Sequence, residues 1–137
     1  MNNESLNLLQ KRLFIRGALV LFGTFILNSL GVWLSLYGIL WWYDMPMHFF
    51  GGLFTGLLVL SFLVKYKKTA YLPTFKIVLI SLALVFLIGF LWEGYEFIID
   101  LMFGRWQIIM DSLSDLFFDL AGGIQALFIY LRHKKML

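Results

Sequence analysis

Apolar positions in this chain fall in long unbroken stretches, not in the half-faced or alternating patterns of a water-soluble protein. A helix crossing the hydrocarbon layer needs about 20 predominantly apolar residues. Four runs reach that length between charge or turn signals: Leu13 to Leu36, Pro46 to Val64, Thr74 to Ile99 and Ser112 to Leu131. The pattern predicts an all-α polytopic membrane protein, a four-transmembrane-helix bundle forming one membrane domain over residues 1–137. The first run is too long for the apolar core of a cleavable signal peptide and has no small-residue cleavage site before the next span.

Composition agrees with the spans. The chain is 61% hydrophobic and 14% charged, where soluble domains have about half apolar and about a quarter charged residues. A soluble globule and a disordered chain are both excluded. The net charge of +3 comes from 11 basic and 8 acidic residues sorted by position, so no massed basic patch exists for nucleic acid. With no cysteine, disulfide frames, zinc–thiolate sites and thiol chemistry are out.

Lysine and arginine set the orientation. Lys11, Arg12 and Arg16 lie at the head of the first span, Lys65, Lys67, Lys68 and Lys76 around the second connection, and Arg132, Lys134 and Lys135 after the fourth span. The positive-inside rule makes that side cytoplasmic, so both termini are expected in the cytoplasm of a cell whose inner membrane holds the chain. His133 belongs to this topogenic, lipid-facing tail. Only Arg105 lies on the other side, in the loop from Asp100 to Asp111; the shorter outer loop runs from Tyr37 to Tyr43. Trp41, Trp42, Tyr43 and Trp106 stand where an outer aromatic belt is expected.

The acids take the opposite side. Of the acidic residues only Glu4 is cytoplasmic; Asp44, Glu93, Glu96, Asp100, Asp111, Asp115 and Asp119 all sit at outer span ends. Acidic residues contribute little to topology, so orientation does not explain them. Helical spacing places them on shared faces. Asp44 and His48 are four apart, with Pro46 tolerated in a first helical turn. Glu93, Glu96 and Asp100 follow Gly89 on one stripe; Asp111, Asp115 and Asp119 form another, continued by Gly122 and Gln125. Thr24, Asn28, Gly31 and Ser35 give the first span a polar stripe as well. His48, Gly52 and Gly56 align as a small-residue face, the kind that lets helix backbones approach in a bilayer.

These stripes are expected to point inward and form a pocket in the outer half of the membrane, open to the periplasm or outside. A charged side chain near the bilayer centre costs about 2.5–3.5 kcal/mol on the insertion scale, so converging carboxylates need neutralising by protons or bound cations. Oxygen ligands with one imidazole suit a divalent metal ion such as Zn²⁺, Mg²⁺ or Mn²⁺. The expected metal ligands are Asp44, His48, Glu93, Glu96, Asp115 and Asp119, with Glu93 and Asp119 the catalytic candidates. Arg105 and Asp111 are candidate substrate contacts. Each has a plainer alternative: Asp44 and Asp111 as helix caps, Asp100 as a solvated end residue, Arg105 as a surface ion pair. No nucleophile elbow, HExxH, P-loop or dinucleotide fingerprint is present.

The order of motifs, Asp44-Met-Pro-Met-His48 with two following glycines, Trp92-Glu93-x-x-Glu96, and Asp111-x-x-x-Asp115-x-x-x-Asp119-x-x-Gly122, resembles the small multi-pass VanZ-like and YjdF-like membrane proteins of bacteria. The resemblance covers Tyr43 to Gly123 and implies a multi-pass helical fold; VanZ-like proteins are linked to glycopeptide (teicoplanin) resistance at the cell envelope. The reading thus predicts a membrane-embedded, metal-dependent hydrolase or transferase acting on a lipid-linked or envelope substrate. A proton- or cation-coupled transport module and a non-enzymatic envelope assembly or resistance factor are the alternatives. The partners expected are the lipid bilayer and that substrate, without nucleic acid, and the exposed surface leaves room for a homo-oligomer.

Overall fold

The computed structural model describes residues 3–66, 72–104 and 109–135, except the side chains of Ile109 and Met110. Among the described residues five helices follow in order: α1 (Asn3–Trp33), α2 (Leu36–Ile39), α3 (Asp44–Lys65), α4 (Thr74–Met102) and α5 (Ile109–Lys135). No strand occurs among the described residues. All but α2 are long and apolar enough to cross a membrane. The start of α1 and the end of α5 come to one end of the bundle, where Leu6 and Leu9 share a cluster with Leu127 and Tyr130. Lys67, Lys68, Arg105 and Trp106, which entered the topology argument, lie outside the described residues.

Local chemistry explains the boundaries. Pro46 sits in the first turn of α3, where a missing N–H costs nothing. Pro73, extended, precedes α4, which ends with Gly104 at φ 66°, the left-handed conformation that closes many helices. The first connection differs from the expected plain loop. Ser35 turns the chain at φ 57° and the single helical turn α2 follows. Tyr43 then folds back under α1, its hydroxyl donating to the Leu27 carbonyl at 2.8 Å. Gly31 makes room for that ring, since a Cβ there would lie 2.5 Å from Tyr43 Cε1.

The first span is longer than its apolar run. The polar stretch expected before Leu13 is helical from Asn3, and Leu6 and Leu9 are buried beside Leu13. Their three-and-four spacing turns one apolar face of an otherwise polar segment into the bundle. There it meets Leu57, Leu60 and Val64 of α3, Ile77 of α4, and Ala126, Leu127 and Tyr130 of α5. Beyond Gly17, α1 is mostly exposed, with Leu19, Phe22 and Phe25 facing outward. The polar stripe expected to point inward does not reach the other spans: Thr24 bonds its own helix at the Val20 carbonyl, and Asn28 is exposed. An apolar cavity of about 180 Å³ lies between α1 and α3, lined by Phe14, Gly17, Ala18, Leu21, Phe54 and Leu58.

The closest packing joins α3 to α5. A Cβ on Gly52 would collide with the backbone carbonyl of Asp119, and one on Gly122 with the carbonyl of Phe49. Without water to drive association, such intimate packing holds membrane helices together. It also corrects the phase of α5. Its buried face runs Asp115, Asp119, Gly122, Ala126, Tyr130 and His133, so Gln125 falls off the line and is exposed. His133, expected in a lipid-facing tail, is 7% exposed; its Nδ1–H donates to the Ile129 carbonyl at 2.8 Å. On α4 the buried stripe is Ile77, Ser81, Val85, Gly89 and Glu93, in steps of four.

Candidate carboxylate–imidazole site

His48 is the hub. It projects from the second turn of α3, is 6% exposed, and faces carboxylates from three helices. Its Nδ1 lies 3.5 Å from Asp119 Oδ2 on α5 and 3.9 Å from Glu93 Oε1 on α4. Its Nε2 lies 3.8 Å from Asp44 Oδ2, one turn earlier on α3. The α3–α5 glycine crossing makes this possible, because Gly52 is one turn below His48 and rests on the backbone of Asp119 itself. Gly89 shapes the third wall: a Cβ there would strike Asp119 Oδ2. The carboxylate of Asp119 is therefore held in a notch with little freedom to turn.

Asp115 is 2% exposed. Its Oδ1 is near the Ser114 hydroxyl at 3.4 Å, while its Oδ2 is buried with no hydrogen-bond partner among the described residues. A buried polar atom without a partner costs about 1–3 kcal/mol. Two sets of three residues bring ligand atoms within 4.8 Å of one another: Asp44, His48 and Asp115, and His48, Glu93 and Glu96. Opposite ligands about an octahedral ion with bonds near 2.1 Å stand about 4.2 Å apart, so either set could close on a cation with small movements.

The structure thus gathers Asp44, His48, Glu93, Glu96, Asp115 and Asp119, the six residues proposed from spacing as ligands. Asp111 is exposed in the first turn of α5, where a carboxylate complements the helix dipole. Asp100 is half-buried near the end of α4. Arg105 lies outside the described residues. Two contributors were not singled out from the sequence. Ser112 lies beside Glu93; its spacing of three and seven from Asp115 and Asp119 would have placed it on their face. Tyr37 donates to Asn28 Oδ1 at 2.6 Å. Burial, helped by the negative charge of Asp44, pushes its hydroxyl up to about 12, so it stays a donor at the rim. No periodicity links Tyr37 to Asn28, because a chain reversal lies between them.

Fold and site together define a multi-pass α-helical membrane protein with an ionisable cluster buried between its helices. Over residues 11–135 the chain matches the family described as a predicted membrane protein (DUF2238), and it belongs to that family. No curated protein and no solved structure matches it.

Proposed function

We propose that the cluster is a divalent-cation site serving hydrolysis or group transfer on a lipid-linked or envelope substrate. The observation that carries this reading is Asp115 Oδ2, buried without a hydrogen-bond partner among the described residues and within ligand-sharing distance of His48 and Asp44. An oxygen-rich set with one imidazole suits Zn²⁺, Mn²⁺ or Mg²⁺. An ion held there would polarise a phosphoryl or carbonyl oxygen and acidify water. Glu93, beside the imidazole, would act as the base that takes a proton from water and returns it to the leaving oxygen. The resemblance of the motif order to that of VanZ-like and YjdF-like proteins supports an envelope role.

In this reading the basic residues at the chain ends lie in the cytoplasm and the cluster opens on the outer side of the inner membrane. The lack of native cysteine makes this directly testable. Cysteine placed at Ser5 should react with a membrane-impermeant maleimide only after cells are opened, and cysteine at Asp111 in intact cells whose outer barrier is permeabilised. Elemental analysis of purified protein loaded with Mn²⁺ or Zn²⁺ tests the site itself. One ion per chain in wild type, lost in Asp115→Asn, is expected; a wild-type protein that retains none overturns the reading.

A further inference from the structure

Resting on that reading, the geometry points to one of the two residue sets as the cation's place: we infer that the ion sits between Asp44, His48 Nε2 and Asp115, and that Asp119 is a positioning residue that holds the imidazole for it. Two observations separate the sets, and a third fixes the role of Asp119. The first is the division of the His48 ring. Nδ1 faces Asp119 Oδ2 at 3.5 Å, whereas Nε2 is turned to Asp44. A neutral imidazole has one N–H and one lone pair. With the N–H donated from Nδ1 to Asp119, the lone pair is left on Nε2, on the side of Asp44.

The second observation is the state of the other members. Asp115, 2% exposed, carries a buried oxygen without a hydrogen-bond partner among the described residues, and it belongs to the Asp44 set. Glu93, in the competing set, meets the ring from the other side, its Oε1 lying 3.9 Å from Nδ1, the nitrogen that faces Asp119. The third is the notch around Asp119. Gly89 opposes its Oδ2 and Gly52 its backbone, so three helices fix this carboxylate against the ring. Ligating histidines commonly donate their second nitrogen to such a carboxylate, and losing that partner costs 10–100-fold in metal affinity. Asp119 therefore leaves the ligand set proposed from sequence spacing. Two carboxylates and one imidazole remain as protein ligands, with the other coordination positions open to water or substrate, as in catalytic sites.

Mn²⁺ titration of the purified chain in nanodiscs, followed by electron paramagnetic resonance, tests this. Wild type should bind one Mn²⁺ with a directly coordinated histidine nitrogen visible in the spin-echo modulation. Asp119→Asn should weaken binding about 10–100-fold and remove the nitrogen signature from the ion still bound at saturation, an effect that loosened packing alone would not produce. Asp115→Asn should abolish binding, and Glu96→Gln should leave affinity within about twofold. Loss of binding in Glu96→Gln with retention in Asp115→Asn places the ion in the other set and overturns the inference. An unchanged nitrogen signature in Asp119→Asn overturns the role given to Asp119. Failure of wild type to bind Mn²⁺ or Zn²⁺ strikes the proposed function itself, so the two failures are distinguishable. Size-exclusion profiles of each variant identify any that do not fold, and Glu96→Gln, at a half-buried position, keeps the choice between sets open to refutation.

Discussion

Along the α3–α5 seam, His48, Asp115 and Asp119 are buried at one end, with 6%, 2% and 6% exposure, and Leu57, Leu60 and Ala126 at the other, with none. The backbone geometry is continuous between them, since Gly52 and Gly56 on α3 and Gly122 and Gly123 on α5 keep the two helices close along the whole seam. The chemistry is opposite. The apolar end follows the ordinary rule of a helix bundle, in which shape complementarity holds the helices. The acidic end gathers groups that each cost energy in hydrocarbon and leaves Asp115 Oδ2 without a hydrogen-bond partner among the described residues. A bundle stable enough at one end can tolerate a poorly satisfied cluster at the other, and strain concentrated in this way is characteristic of sites that bind something.

The largest effect is expected where both ends depend on one contact. Gly52→Leu would force α3 off the carbonyl of Asp119, and should abolish both the folded species in thermal melts and cation binding. If the variant folds normally and binds Mn²⁺, the seam is not what joins the ends. Next, Leu57→Ala, fully buried at the apolar end, should cost about 2–5 kcal/mol of stability and leave Mn²⁺ affinity unchanged, as read by unfolding curves and titration. The acidic end should respond with the opposite sign. Without added cation, Asp115→Asn removes a buried charge and should stabilise the protein by about 1–3 kcal/mol. Saturating Mn²⁺ should erase that advantage, because only wild type gains from binding. A destabilised Asp115→Asn in cation-free buffer would make the carboxylate a structural element instead. The smallest effect belongs to neither end: Trp41→Ala, 82% exposed, should change stability by under about 0.5 kcal/mol.

Much of this contrast is legible in the sequence because spacing within one helix needs no partner. Asp44 with His48, Glu93 with Glu96, and Asp115 with Asp119 each share a face by arithmetic alone, and all six residues do meet near one point. What periodicity lacks is the identity of the facing surface. The stripe of Asn28 on α1 reads like the others, yet α1 diverges from the acidic end and meets the bundle through Leu6, Leu9 and Leu13. Gln125 and His133 were misplaced for a related reason. From Gly122 the face can be continued by three or by four, and only the position of Ala126 against Gly56 selects the step of four that buries His133 and exposes Gln125. The distinct place of Asp119 among the carboxylates was hidden as well, since it depends on which imidazole nitrogen each carboxylate meets.

Because α3 makes its closest contacts with α5, its true neighbour is synthesised only after α4. After α3 and α4 have entered the bilayer, His48 still lacks Asp115 and Asp119, and Gly52 presents bare backbone with nothing seated on it. The groove closes only when α5 is released beside α3. A chain stopped after α4 would therefore insert its spans and still lack the contact that defines the site.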